Sequence, residues 1–241
     1  MNEGTCNGSK ERIIEAAKSL FSEKGYDGAK MSELAIEADV KKALIYHYFP
    51  TKQSILDHII DGFFSEVEGL AMGFIQDSIT KMIDTGRLDI LPDRMRFATP
   101  QDSSDFRQSI LAYYRKLLEY MLSKRHVLRI ILSEAIRGAE QKSTLFRFFL
   151  MMEKDKKNPL FDVIHSADAD FTYSGDTVFR KFFFSLMPQI SFVVFHDDYK
   201  EISGLSDDEM IDSFLRTVNS LYAGYFDGRD MLIEPRGEID I

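Results

Sequence analysis

An all-α protein in two parts is the fold class that this sequence predicts: a small N-terminal three-helix domain and a larger helical domain behind it. Three observations predict it. Apolar residues recur at helical spacing through long segments, prolines number only six in 241 residues, and apolar side chains make up 44% of the chain. That combination supplies a large core with few breakers. The domain reading is a disordered leader over 1–9, a three-helix domain over 10–52, a helical domain over 53–228 and a tail over 229–241.

The polar leader holds Cys6, the single cysteine. One thiol excludes an internal disulfide and fits a reducing cytoplasm, and a cysteine in a tail is usually incidental. The N-terminus lacks the apolar core of a signal peptide, and no uncharged apolar run reaches membrane-spanning length, so cytoplasmic placement and no membrane partner are expected. In the first helix Ile13, Ile14, Ala17, Leu20 and Phe21 share a face, and Gly25-Tyr26 stops it.

Met31–Lys52 is the most informative stretch. Leu34, Ala35 and Ala38 form a narrow apolar stripe, and Asp39 suits a left-handed turn, which few non-glycine residues tolerate. Val40 plugs the angle between two helices. Ile45 and Phe49 lie four apart and dock together, leaving Lys42, Ala43, Tyr46 and His47 facing away. Pro50 ends the second helix, and Thr51 caps the next with Ser54 at its third position. From Val40 to Lys52 there are three lysines and no acid, in a chain of net charge -9. Residues 1–52 carry eight basic and eight acidic side chains, so the rest of the chain supplies the whole negative excess. An acid-free, basic and aromatic helix is what contact with phosphates requires.

Glu11–Lys52 resembles the DNA-binding domain of the TetR family of bacterial transcriptional regulators. The first helix ends as that family's does, in ERIIEAAKSLFSEKGYDG. The recognition helix, usually Val-Ser-Lys-Gly-Thr-Leu-Tyr-X-X-Phe with a Lys close behind, stands here as Val40-Lys41-Lys42-Ala43-Leu44-Ile45-Tyr46-His47-Tyr48-Phe49 and Lys52. The departures are Asp39 for the turn glycine, Lys41 for the cap serine, Ala43 for glycine, Leu44 for threonine, and Lys30 for the Thr or Ser capping the second helix. Leu44 cannot hydrogen-bond a base edge and offers only apolar contact, as to a thymine methyl. The DNA-binding candidates are Lys41, Lys42, Ala43, Tyr46 and His47 at the groove, Leu44 against a thymine methyl or shielding a phosphate, and Lys30, Tyr48 and Lys52 on phosphates. Tyr48 reads equally as packing against the first helix.

Beyond Lys52 the reading is helical. Ile55, Ile59, Phe63 and Val67 mark one apolar side of a connector over 52–83, with a break near Gly69 or Gly73. Residues 84–105 hold Pro92 and Pro100 and read as a long loop. Helices are expected at 105–124, 126–138 and 143–157, with a short one over 160–166. Asp176–His196 is apolar nearly all round, more than one core requires, and Pro188 should kink it. Asp207–Phe226 is its amphipathic partner. The resemblance implies that these last helices form a homodimer's four-helix bundle, and the excess apolar surface favours one independently.

An adaptable effector pocket could draw on Tyr113, Tyr114, Met121, Phe148, Phe149 and Met152, although each also reads as ordinary core. The five histidines show no paired metal spacing, so no metal and no cofactor are expected. His196-Asp197-Asp198 reads as a helix end. No nucleophile triad, phosphate loop or carboxylate pair stands out, so the chain is not expected to be an enzyme. The expected function is that of a regulator, a repressor by family habit, released from a palindromic operator by a small apolar or amphipathic effector. The alternative is an all-helical small-molecule-binding protein or enzyme whose helix-turn-helix does not read DNA.

Overall fold

The computed structural model describes residues 3–91, 94–137 and 179–232 together with 145, 147, 162, 165 and 166. Contacts divide the chain into two units, Met1–Glu66 with Lys124–Phe146, and Val67–Ser123 with Arg147–Ile241.

The first unit contains α1 (Glu3–Gly28), α2 (Met31–Glu37), α3 (Lys42–Tyr48), the first part of α4 (Lys52–Phe74) and α7 (Arg125–Arg137). Helix α1 begins at Glu3, inside the segment expected to be unstructured. Its regular winding is interrupted at Gly25, whose φ of 73° is open to glycine at little cost. Ile13, Ala17, Leu20 and Phe21 are buried, as their shared face requires. Helix α7 packs on α1 and buries Val127, Leu128, Ile130 and Ile131, so the unit extends past the expected boundary at residue 52.

The second unit holds the rest of α4, a wide π-helical turn at Ile75–Thr80, α5 (Lys81–Asp84) and α6 (Pro100–Ser123). It also holds a second π-helical turn at Lys181–Leu186, α8 (Met187–Val194), α9 (His196–Ser203) and α10 (Asp207–Ala223). Helix α4 passes Gly69 and Gly73 without breaking, because a helix tolerates single glycines at a cost of only about 1 kcal/mol each. The Lys181–Leu186 turn directly precedes Pro188, which lacks the N–H that a regular helix would use there. Buried Ile190 and Val193 of α8 join Phe106, Ile110 and Leu118 of α6 and Met210, Ile211 and Leu215 of α10 in the core. Ser206 caps α10: its hydroxyl accepts from the Glu209 N–H, and the Glu209 carboxylate accepts from the Ser206 N–H.

Three expectations are corrected. Residues 84–105 are not a long loop: β1 (Leu88–Leu91) and β2 (Arg94–Phe97) form an antiparallel hairpin, and α6 starts at Pro100. Residues 229–241 are not wholly a tail, because β3 (Phe226–Asp227) and β4 (Asp230–Leu232) complete a sheet of order β1-β2-β4-β3. This small sheet is added to an otherwise helical fold. His196 opens α9 instead of ending a helix, and Asp197 and Asp198 occupy its first turn, where the helix dipole favours negative charge. The expected helices over 143–157 and 160–166 fall largely outside the described residues.

Candidate nucleic-acid interface

The turn between α2 and α3 follows from its sequence. Ala38 N–H donates to Leu34 O at 2.9 Å, and Val40 N–H donates back to Ala35 O at 3.0 Å. Asp39 sits between them at φ 50°, the left-handed conformation anticipated for it. Ile45 is fully buried and Phe49 nearly so, which seats α3 on its neighbours. Phe49 leaves the helix in an extended conformation ahead of Pro50. At the next helix start Ser54 N–H donates to the Thr51 hydroxyl at 3.0 Å, and Thr51 N–H donates to the Ser54 hydroxyl at 3.2 Å. The serine therefore does the work of a capping-box glutamate.

This seating turns one face of α3 outward. Lys41, Lys42, Ala43, Tyr46 and His47 are exposed, while Leu44 and Tyr48 are half-buried. The Lys42 ammonium lies 5.8 Å from the Tyr46 ring centre, and the Tyr48 ring meets His47 edge-on at 5.3 Å. Lys30 is exposed at the start of α2, where the Glu33 carboxylate accepts from its N–H at 3.1 Å. Lys24 holds the same carboxylate at 3.0 Å, joining α1 to α2 and keeping Glu33 below its usual range.

Lys52 has a different task from the one expected. Its ammonium donates to the carbonyls of Tyr26 at 2.7 Å and Ala29 at 3.1 Å, and lies 4.3 Å from the Tyr26 ring centre. Those carbonyls lie at and just past the end of α1, where helical partners run out, so a lysine two residues beyond Pro50 completes them. Lys52 thus stitches the start of α4 to the end of α1 instead of reaching for phosphate. Two cations that the sequence reading passed over stand close to the turn. Arg12 approaches Asp39 at 3.6 Å, and Lys10 lies 5.7 Å from the Phe49 ring centre. Their charge just ahead of the first apolar face was the available signal.

In the second unit, one of the expected pocket residues, Tyr114, joins a polar network, and another, Tyr113, packs against it. The Tyr114 hydroxyl bonds to the Ser185 hydroxyl and, at 2.7 Å, to the Tyr222 hydroxyl. Tyr113 stacks on Phe74 at 4.8 Å and meets Tyr114 edge-on at 5.9 Å. Burial, then the neighbouring Tyr222, pushes the Tyr113 hydroxyl up to about 12 and that of Tyr114 well above its ordinary value. Met121 is fully buried in α6. Phe148, Phe149 and Met152 lie outside the described residues. The signal for Ser185 and Gln189 in the sequence is that they are polar residues four apart within a mostly apolar segment. Among the described residues, no group of three His, Cys, Asp or Glu side chains is placed to hold a metal ion. No described helix is long and apolar enough to cross a membrane.

With this geometry in place, residues 13–59 match the profile of bacterial regulatory proteins of the TetR family. The similarity to the TetR family rests on this N-terminal segment. The biofilm operon icaADBC HTH-type negative transcriptional regulator IcaR of Staphylococcus aureus is 38% identical over 63 residues, 26% of this chain and 34% of that protein. The match thus spans about a third of the length of that relative. YttP of Bacillus subtilis, described as an HTH-type transcriptional regulator, is 24% identical over 146 residues, 61% of this chain and 59% of its own. A Mesorhizobium loti protein described as a TetR-family transcriptional regulator shares the fold at TM-score 0.54 and 17% identity, covering 92% of this chain and 98% of its own. The transcriptional regulatory protein RHA5900 does so at TM-score 0.54 and 16% identity, over 88% and 97%.

Proposed function

We propose that the protein is a homodimeric, sequence-specific DNA-binding transcriptional regulator, a repressor released from a palindromic operator by a small apolar or amphipathic effector. The observation that carries this reading is the outward face of α3: Lys41, Lys42, Ala43, Tyr46 and His47 exposed together, with no acid on that helix, inside the matched TetR-family segment. A helix so seated presents base-reading and phosphate-neutralising groups to a major groove, and two copies would occupy successive grooves of a twofold site. In this reading Lys30, Lys10 and Arg12 add backbone contacts, which position the protein without specifying sequence.

Dimerisation through residues 176–226 is supported by what that region leaves exposed. Phe179, Phe183, Phe184, Phe195, Tyr199, Ile202 and Leu221 all show large apolar surface, more than an isolated chain usually displays in one region. Repression is proposed because IcaR is named a negative regulator. An effector bound in the second unit would act by favouring one of two positions of α4, which requires different affinity for the two states.

Selection of random duplexes on the purified protein, sequenced at two salt concentrations, tests the reading. Enrichment of a palindrome with two half-sites is the expected result. A chain that retains only weak, salt-sensitive and sequence-blind binding would not be a specific regulator. Tyr46→Ala is expected to weaken the selected site by about 1–3 kcal/mol while leaving random DNA nearly unchanged.

A further inference from the structure

Gln189 is 2% exposed, and its side-chain carbonyl Oε1 has no hydrogen-bond partner among the described residues. The orientation of this amide is fixed from the other end. Its Nε2 donates to the Ser185 backbone carbonyl at 3.0 Å, and that oxygen can only accept. Turning the amide over would set two acceptors against each other, so the unpaired group must be the carbonyl. Buried acceptors of this kind are few in folded proteins, and each one requires an explanation.

The same Ser185 connects Gln189 to the hydroxyls. Its side chain meets the Tyr114 hydroxyl, which meets that of Tyr222. Three hydroxyls joined by two hydrogen bonds leave one proton to donate elsewhere. Gln189 and Tyr114 are buried, whereas Tyr113, Ser185 and Tyr222 are partly exposed, so the cluster runs from the interior to the surface. Aromatic rings make its sides: Tyr113 and Tyr222 each stand 5.9 Å from Tyr114, and Phe74 lies behind Tyr113. Ser185 also lies in the Lys181–Leu186 π-helical turn, and such turns recur at functional sites. None of the side chains joined in the network carries a charge.

We infer that this cluster is a binding site for a small, uncharged aromatic molecule bearing a hydrogen-bond donor, a phenol or an aromatic amine, whose donor pairs with Gln189 Oε1. The inference rests on the effector reading above and narrows it to one chemical class. An ionised ligand would lie against neutral side chains with no counter-charge, which is costly away from water. A ligand lacking a donor would leave Oε1 unpaired.

Calorimetric titration of the full-length protein without DNA, using phenol, anisole and benzoate as probes, tests it. Phenol is expected to bind, anisole at least tenfold more weakly because it has no donor, and benzoate least. In Gln189→Leu, phenol affinity should fall at least tenfold to the level of anisole, while the melting temperature of the unliganded protein holds or rises as the unpaired acceptor is removed. Tyr222→Phe provides a second check that leaves Gln189 and Tyr114 in place, and its preference for phenol over anisole should shrink. Equal binding of phenol and anisole, no binding of phenol, or a marked drop in the unliganded melting temperature of Gln189→Leu would each overturn the inference. Because the titration contains no DNA, such a result leaves the duplex selection to decide the regulatory reading separately.

Discussion

Among the described residues of Met1–Glu66 and Lys124–Phe146, every buried side chain is aliphatic or aromatic, from Ile13 in α1 to Ile131 in α7. The buried polar side chains Asp102, Ser103, Gln189 and His196 all lie in the other unit. An apolar interior packs one way and holds a surface such as the α3 face in fixed geometry. A polar interior has partners to exchange, so its arrangement is open to change by whatever else can supply a hydrogen bond. The unit that contains the matched segment 13–59 thus has a wholly apolar described interior, and the other sets a few polar side chains among apolar ones.

Four substitutions sharpen or break that contrast, in descending order of effect. Phe97 is fully buried within ring contacts at 5.2 Å to Phe106 and 6.4 Å to Phe226. Phe97→Ala should cost about 3–5 kcal/mol in chemical denaturation, the range for an aromatic truncated in a core. Lys52→Met keeps the aliphatic stem and strips the carbonyls at the end of α1 of their donor, so a loss of about 1.5–3 kcal/mol is expected. The salt dependence of DNA binding should not move in that variant, whereas Lys42→Ala should leave stability alone and flatten the salt slope by about one unit. If Lys52→Met also flattens the slope, the stitch is not its main task. Tyr114→Phe removes the central hydroxyl and should cost about 1–2 kcal/mol, with Ser185 and Tyr222 left to find other partners.

The smallest effect is one of pH. Asp102 accepts from the Thr99 hydroxyl at 2.7 Å and from Arg87 at 2.6 Å, and those bonds, the hydroxyl foremost, hold its carboxyl below the usual range. A depressed folded-state value stabilises the protein above the unfolded value of about 4, and that contribution disappears as pH falls through the folded value. Wild-type protein should therefore lose stability on acidification below about pH 4 more steeply than Asp102→Asn, as followed by urea midpoints across that range.

What the sequence disclosed depended on how far apart the cooperating residues lie. The α2–turn–α3 geometry is written within twenty-odd residues: the stripe at Leu34 and Ala38, the left-handed Asp39, the Ile45–Phe49 pair and Pro50 all act on near neighbours. Helix α6 showed in its apolar spacing for the same reason. The hairpin was hidden by its prolines, although Leu88, Ile90 and Phe97 turn inward in alternation with outward Asp89 and Arg96. In the sequence, Pro92 and Asp93, both turn-favouring residue types, separate the two apolar runs. Its partner strand lies near the C-terminus, beyond the reach of any local pattern. The carbonyl contacts of Lys52 are not legible in the sequence because charge alone does not tell whether an ammonium faces solvent or a carbonyl. The Gln189 cluster draws on three helical segments far apart in the sequence, beyond the reach of a local pattern.

The remote strand also sets an order of events during synthesis. Strand β2 lies between β1 and β4, with Arg94 opposite Leu232 and Arg96 opposite Asp230. A ribosome adding ~5–20 residues per second makes the hairpin roughly 7–30 seconds before β4 emerges. Throughout that interval one edge of β2 stands open to any passing strand. Positive charge on such an edge discourages wrong pairing, and Arg94 and Arg96 supply it. When β4 arrives it brings Asp230, which takes Arg94 at 3.0 Å and Arg96 at 3.1 Å. The nascent chain's guards become the finished sheet's latch.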